Sequence, residues 1–148
     1  MSTASRWTSQ RRSPLPRPRW MSISGWEMQA GRDAALCTYQ LHIELTQDIA
    51  IQVGRLGRFR FPAGCYRYTG SARRNLIARV RRHLSNDKKL RWHIDYLLTA
   101  KGVRITNVSL SDEAECDCNR QTAGSIIIPG FGASDCRARC GSHLKYLG

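Results

Sequence analysis

Between residues 38 and 45 the chain reads TYQLHIEL, with Tyr39, Leu41, Ile43 and Leu45 on one side of a period-two alternation and Gln40, His42 and Glu44 on the other. Such alternation predicts a half-buried strand. Ile49, Ile51 and Val53 carry the same period past the polar Thr46-Gln47-Asp48 step, which predicts a hairpin with the first strand. Gly54 to Gly57 breaks the pattern. RFRF at 58–61 then pairs across Pro62-Ala63-Gly64 with CYRY at 65–68, giving three or four antiparallel strands in all.

Past Gly70-Ser71 the period changes. Leu76, Ile77, Val80 and Leu84 fall on one helical stripe, with Ala78, Arg81 and Arg82 opposite it. Arg79 and His83, one turn apart, share a border of that stripe, where a side chain buries its stem and turns its head toward a cleft. A second helix is predicted over residues 87–100, with Leu90, Ile94, Leu97 and Leu98 inward and Lys101-Gly102 ending it. Residues 103–110, VRITNVSL, read as a further strand. SDEAECDCNRQ then opens a helix at Ser111 with acids in its first turn, where the helix dipole favours them. Residues 126–128 read as a short buried strand and PGFGASDC as a loop. The expected fold is α/β of the α+β type: a small mixed, mainly antiparallel sheet flanked by helices, in one domain over residues 34–148.

Charge narrows the partners. The 148 residues carry 24 Lys and Arg against 11 Asp and Glu, a net charge of +13. Residues 55–91 hold twelve of the basic residues and one acid, Asp87. A patch so concentrated attracts polyanions, with nucleic acid the leading partner and an anionic membrane the second. Ser71, Arg73, Arg74, Arg82, Lys88, Lys89 and Arg91 are the candidate phosphate contacts. A merely solvated basic face is the plain alternative. No apolar run is long enough to span a bilayer. Residues 1–20 hold five arginines, three prolines and no acid, so residues 1–33 are expected to form a disordered Arg/Pro/Ser-rich arm. The same composition fits an organellar transit peptide, or an extension upstream of a start at Met21 or Met28. Arg11-Arg12 lacks the apolar stretch an export signal would need, and a cytoplasmic location is expected.

The six cysteines read as reduced thiols rather than a disulfide scaffold. Cys116-x-Cys118 and Cys136-x3-Cys140 followed by His143 raise the question of structural zinc. The first pair is tighter than the usual C-x2-4-C spacing, and the zinc reading ranks below buried or incidental thiols.

The candidate chemistry lies in Tyr39, Tyr68, Arg79, His83 and Glu115. Phosphodiester hydrolysis needs an activated water, positive charge where the transition-state oxygens develop, and usually a hard cation held by a carboxylate. A tyrosine or histidine can position or deprotonate the water, and the arginine fork binds two phosphate oxygens at once. Singly, each residue has a structural reading: sheet aromatics for the tyrosines, a solvated charge for Arg79, a helix-end contact for His83, a capping box with Asp112 for Glu115.

These residues resemble a known family. TYQL followed by YTGSARRNLIARVRRH is similar to the GIY-YIG nuclease superfamily. GCYRYTGSA, RWHIDYLL, Glu115-Cys116, FGASDC and GSHL resemble more closely the Uri-type, or DUF123, domains of that kind, over about residues 37–148. The resemblance implies a GIY-YIG-like fold and a metal-dependent endonuclease acting on DNA, in repair or mobile-element processing. It implies that Tyr39 and Tyr68 contact the attacking water or the scissile phosphate, that Arg79 stabilises the transition state, that His83 assists proton transfer or phosphate binding, and that Glu115 ligates Mg2+ or Mn2+. His93 is a secondary candidate. The first motif departs from the family in reading Cys37-Thr38-Tyr39 where Gly-Ile-Tyr is usual. A nucleic-acid-binding module on the same scaffold, without cleavage, is the rival reading.

Overall fold

The computed structural model describes residues 36–85, 87–133 and 136–148, together with the backbone of Met21 and Ser22. Those two residues apart, the expected arm over residues 1–33 lies almost wholly outside the described residues.

The main sheet has the order β1-β6-β2-β5-β7, and every neighbouring pair is antiparallel. Its strands are β1 (Met21–Ser22), β2 (Thr38–Leu45), β5 (Gly64–Ser71), β6 (Val103–Ser111) and β7 (Leu144–Tyr146). A second, two-stranded sheet joins β3 (Ile49–Val53) to β4 (Gly57–Phe61). The helices are α1 (Leu76–Leu84), α2 (His93–Leu98) and α3 (Glu115–Gln121). This is the α+β fold expected from the alternation. Among the described residues no helix is long and apolar enough to cross a membrane.

The strands stand close to where the alternation puts them, but the pairings differ. β3 does not pair with β2, nor β4 with β5; β3 pairs with β4, and β2 with β5. The Gly54 to Gly57 break is itself the hairpin turn, with the Leu56 N–H donating to the Val53 carbonyl and both glycines at positive φ. The hairpin sets Ile49 opposite Phe61 and Ile51 opposite Phe59. That arrangement collects the apolar side of both strands on one face, with Val53 and Phe61 fully buried.

Both faces of the main sheet are covered near the start of β2. Tyr39, Leu41, Ile43 and Leu45 face the core with Tyr66, Tyr68, Val108, Leu110 and Leu144. On the other face Gln40 is buried as well, its amide donating to Thr69 Oγ1 at 2.9 Å and to Thr122 Oγ1 at 2.6 Å. The clean half-buried pattern therefore holds only toward the far end of β2, where His42 and Glu44 are partly exposed.

Three boundaries move. The second helix starts at His93 rather than at residue 87, because the Asp95 carboxylate takes the backbone N–H groups of Arg91 and Trp92, each at 2.9 Å, and fixes the helix entry there. The third starts at Glu115, Ser111 being the last residue of β6. No strand forms over residues 126–128; only Ser125 bridges to Tyr146, and the closing strand is β7.

Candidate functional site

Where β2 begins and β5 ends, a cavity of about 600 Å³ opens, lined by residues of β2, β5, α1, α2, α3 and the loop before β7. The antiparallel register explains how two tyrosines reach it together. Tyr39 faces Gly70 and Leu41 faces Tyr68, so the phenols are diagonal neighbours on one face. Gly70 lies directly under the Tyr39 ring: an added Cβ would stand 2.5 Å from Cζ and closer still to the hydroxyl oxygen. Gly70→Ala should therefore push the phenol aside, costing about 1–3 kcal/mol. The same change should cost clearly less in a Tyr39→Ala background, as urea unfolding of the four proteins of that cycle would reveal.

The Tyr39 hydroxyl lies 2.6 Å from Nε2 of His83. His83 is only 2% exposed, and its other nitrogen, Nδ1, is buried without a hydrogen-bond partner. An orphaned N–H is rarer in folded proteins than an orphaned acceptor. The tautomer that fits is thus the one in which Nε2–H donates to the phenol oxygen and Nδ1 keeps only a lone pair. Tyr39 then has its own O–H to donate into the cavity. Burial raises the pKa of both phenols, with the other tyrosine and Glu115 adding to the shift at Tyr39 and Glu115 and Asp95 at Tyr68. They are neutral donors at ordinary pH.

Burial, then the charges of Lys88, Arg82 and Arg79, outweigh Asp95 and lower the His83 pKa to about 3. A histidine whose folded pKa lies below its unfolded value contributes stability that is full above about pH 6.5 and lost as pH falls toward the folded value. His83 should take about 1.4 kcal/mol from the stability for each pH unit between about 6 and 4. His42, lowered to about 4 by burial and Arg67, adds a second slope. Urea unfolding at several pH values should show a shallower decline for His83→Gln than for the wild type.

Arg79 and Arg82 lie over the Trp92 ring, their guanidinium carbons 4.9 and 4.3 Å from its centroid. The two have different work. Arg79 lines the cavity and gives one N–H to the Ser71 carbonyl at 3.3 Å. Arg82 forms a two-pronged pair with Asp95, both contacts at 3.0 Å, and also donates to the Lys89 carbonyl at 2.7 Å. Lys88 donates to the carbonyls of Arg82 and His83 and so closes the end of α1. Arg82 and Lys88, expected as phosphate contacts, are thus committed to holding the fold. Arg73, Arg74 and Lys89 are exposed, outside the cavity lining, while Ser71 and Arg91 are within it. His93 lines the cavity too, its Nδ1 accepting the Gly132 N–H at 2.9 Å.

Glu115 is the one carboxylate among the described residues that line the cavity. Its Oε1 accepts from the Ser71 hydroxyl at 2.5 Å, and its Oε2 lies 2.6 Å from Nδ1 of His143. The second contact is a close ion pair, with the carboxylate 27% exposed and the ring 4%. Burial works to raise the Glu115 pKa, but His143, Ser71 and Arg79 outweigh it and hold the carboxylate ionised. For His143 burial works toward neutrality, and Glu115, Cys136 and Cys140 lift its pKa to about 9. Backbone N–H groups of Cys140, with those of Ala138, hold the Cys136 thiol down at about 6 against burial.

Tyr39, Tyr68, Arg79 and Glu115 therefore line one cavity, and His83 backs it through Tyr39. Sequence reasoning did not assign His143 to Glu115, although GSHL marked it. Nor did it find the arginine stack on Trp92, whose only signal was RWHIDYL.

Comparison with protein families matches residues 38–148 to a domain of unknown function, DUF123. The chain belongs to the DUF123 family. No curated protein and no solved structure gives a significant match. The DUF123 match begins at the first residue of β2 and ends at the last residue of the chain. It thus takes in every element that lines the cavity, and the DUF123 domain is the unit that carries the candidate site.

Proposed function

We propose that the chain is a divalent-cation-dependent endonuclease that hydrolyses phosphodiester bonds in DNA, in the manner of the GIY-YIG nucleases its motifs resemble. The observation that carries this reading is the convergence of Tyr39, Tyr68, Arg79 and Glu115 on one cavity at the end of the sheet. The neutral phenols donate to oxygens of the phosphate, with His83 holding Tyr39 in place through its ring N–H. Arg79 presents its fork to the negative charge that grows as the phosphorane forms.

Glu115 fits Mg2+ or Mn2+. These hard cations take oxygen ligands and can be held by a single carboxylate plus substrate phosphate and water. Each Glu115 oxygen keeps a lone pair beyond its present contact. When bound, such a cation supplies charge at the phosphate and acidifies a water. The basic segment at 55–91 supports a nucleic-acid partner, with Arg91 at the cavity and Arg73, Arg74 and Lys89 on the surface to follow the backbone without reading sequence.

Supercoiled plasmid incubated with the purified protein and Mg2+ or Mn2+ should become nicked circles, and a chelator should prevent it. DNA binding without cleavage in either metal would replace this reading with a binding module.

A further inference from the structure

Cys116, Cys136, Cys140 and His143 each bring one ligand atom into a group whose members all lie within 4.8 Å of one another. We propose that these four side chains form a closed, structural zinc site beside the candidate active site.

The sequence offered two close pairs, and the structure divides them differently. Cys118 is fully buried and turned toward Ser111 and Glu113, away from the group. Cys116 alone, from the first turn of α3, joins Cys136 and Cys140 across the chain. The Cys136-x3-Cys140 half has a spacing usual for zinc sites, where the Cys116-x-Cys118 pair did not.

Two further observations point to an ion. The sulfurs of Cys116 and Cys136 are 3.6 Å apart. Two thiolates at about 2.3 Å from a tetrahedral zinc would stand about 3.8 Å apart, whereas a disulfide would need about 2.05 Å. His143 is 3% exposed and both ring nitrogens lack a hydrogen-bond partner. With Nδ1 beside the Glu115 carboxylate, Nε2 is the ring nitrogen left to ligate an ion once the ring is neutral. A carboxylate on the far nitrogen of a ligating histidine is a common arrangement for orienting the ring.

Four protein ligands fill a tetrahedral shell and leave no position for water, which makes the site structural. Its position says what it holds. Residues 122–143 contain no helix or extended strand among those described, and this long segment would be tied at Cys136 and Cys140 to the start of α3. Glu115 is the neighbour of one ligand and touches another, so the ion would fix the carboxylate that faces the cavity. Binding requires the thiols and the His143 ring to shed whatever protons they carry, which pass to solvent, and no oxidant or reductant takes part.

The inference is independent of hydrolysis. Elemental analysis of the full chain, purified under reducing conditions, should give about one zinc per chain. Cobalt exchanged into the protein should show the intense thiolate charge-transfer and visible bands of a tetrahedral sulfur site. Cys136→Ser and Cys140→Ser should lose the zinc, and Cys65→Ser should keep it. Reduced wild-type protein without zinc, a Cys116 to Cys136 disulfide in its peptide map, or zinc retained by the Cys136→Ser/Cys140→Ser double variant would each overturn the proposal. Counting zinc on Arg79→Ala as well keeps the two readings apart, since that variant should lose nicking with its zinc intact.

Discussion

Arg79→Ala should slow plasmid nicking about 10²- to 10³-fold, the usual cost of removing one fixed donor from a developing charge. The guanidinium is held on two sides, by the Ser71 carbonyl at 3.3 Å and by the Trp92 ring at 4.9 Å. One N–H is spent on Ser71, and the planar fork keeps others for the phosphate. DNA affinity should fall far less, because Arg79 is one of twelve basic residues over 55–91. The slope of binding against salt should drop by about one counterion. Arg79→Lys should recover binding but little of the rate, since an ammonium gives neither the fork nor the stack. Glu115→Gln should match the loss, and extra Mn2+ should not restore it. Nicking at the wild-type rate by both Arg79→Ala and Glu115→Gln would remove the site assignment.

How much of this was legible follows from what each signal can encode. Period-two alternation located β2, β3, β4 and β5, and the change of period at Ser71 located α1. Alternation says which side of a strand is apolar, but it does not say which strand lies alongside. Two arrangements satisfied it: hairpins closed at Thr46-Gln47-Asp48 and at Pro62-Ala63-Gly64, or one closed at Gly54 to Gly57 with β5 returning beside β2. Positive φ at Gly54 and Gly57 belongs to the second, and only that one sets Tyr39 and Tyr68 side by side.

The pattern over residues 87–100 predicts a longer helix than the one that forms, His93–Leu98, for a related reason. Leu90 fits a helical stripe with Ile94 and Leu97, yet it is 45% exposed, and residues 88–91 run as an irregular segment instead. What stops the helix there is Asp95, whose carboxylate binds the N–H groups ahead of it and Arg82 from α1. A capping carboxylate that also holds an arginine thirteen residues earlier leaves no periodic mark.

The basic residues divide by the same logic. Composition counted twelve charges as one patch, although Arg82 and Lys88 satisfy carbonyls and a buried acid within the fold. The residues that distinguish a phosphate contact from a structural cation are the partners across the chain, and those appear only once α1, α2 and β5 are packed. Cys116 shows the reverse. Its close sequence neighbour Cys118 suggested a pair, but positions two apart on a helix point to different sides, and its companions in space come from the end of the chain.

Asp95 should be the most costly single position in the domain. Its side chain has no exposure, and that of Arg82 retains 25%. Burial works to raise the Asp95 pKa, but the Arg82 fork and the N–H groups of Trp92 and Arg91 prevail and hold it below the usual carboxylate range. Depressed in this way, the group contributes stability above about pH 4 that is lost as pH falls through the folded value. Asp95→Ala leaves the guanidinium without its partner and the entry of α2 without its cap, a loss of about 3–5 kcal/mol. Asp95→Asn keeps the shape and part of the cap, and should cost less. Replacing both partners, as Asp95→Leu with Arg82→Met, should recover much of the loss, because a well-filled apolar pair does not leave a charge buried alone. Urea unfolding of the three variants decides this, and a loss under about 1 kcal/mol for Asp95→Ala would show that the pair does not carry the fold. The effect should also reach the cavity. Asp95 aims Arg82, Arg82 and Arg79 share the Trp92 ring, and Trp92 packs on His83 at 5.7 Å. Variants that still fold should therefore nick plasmid more slowly, although the carboxylate itself is not among the groups that line the cavity.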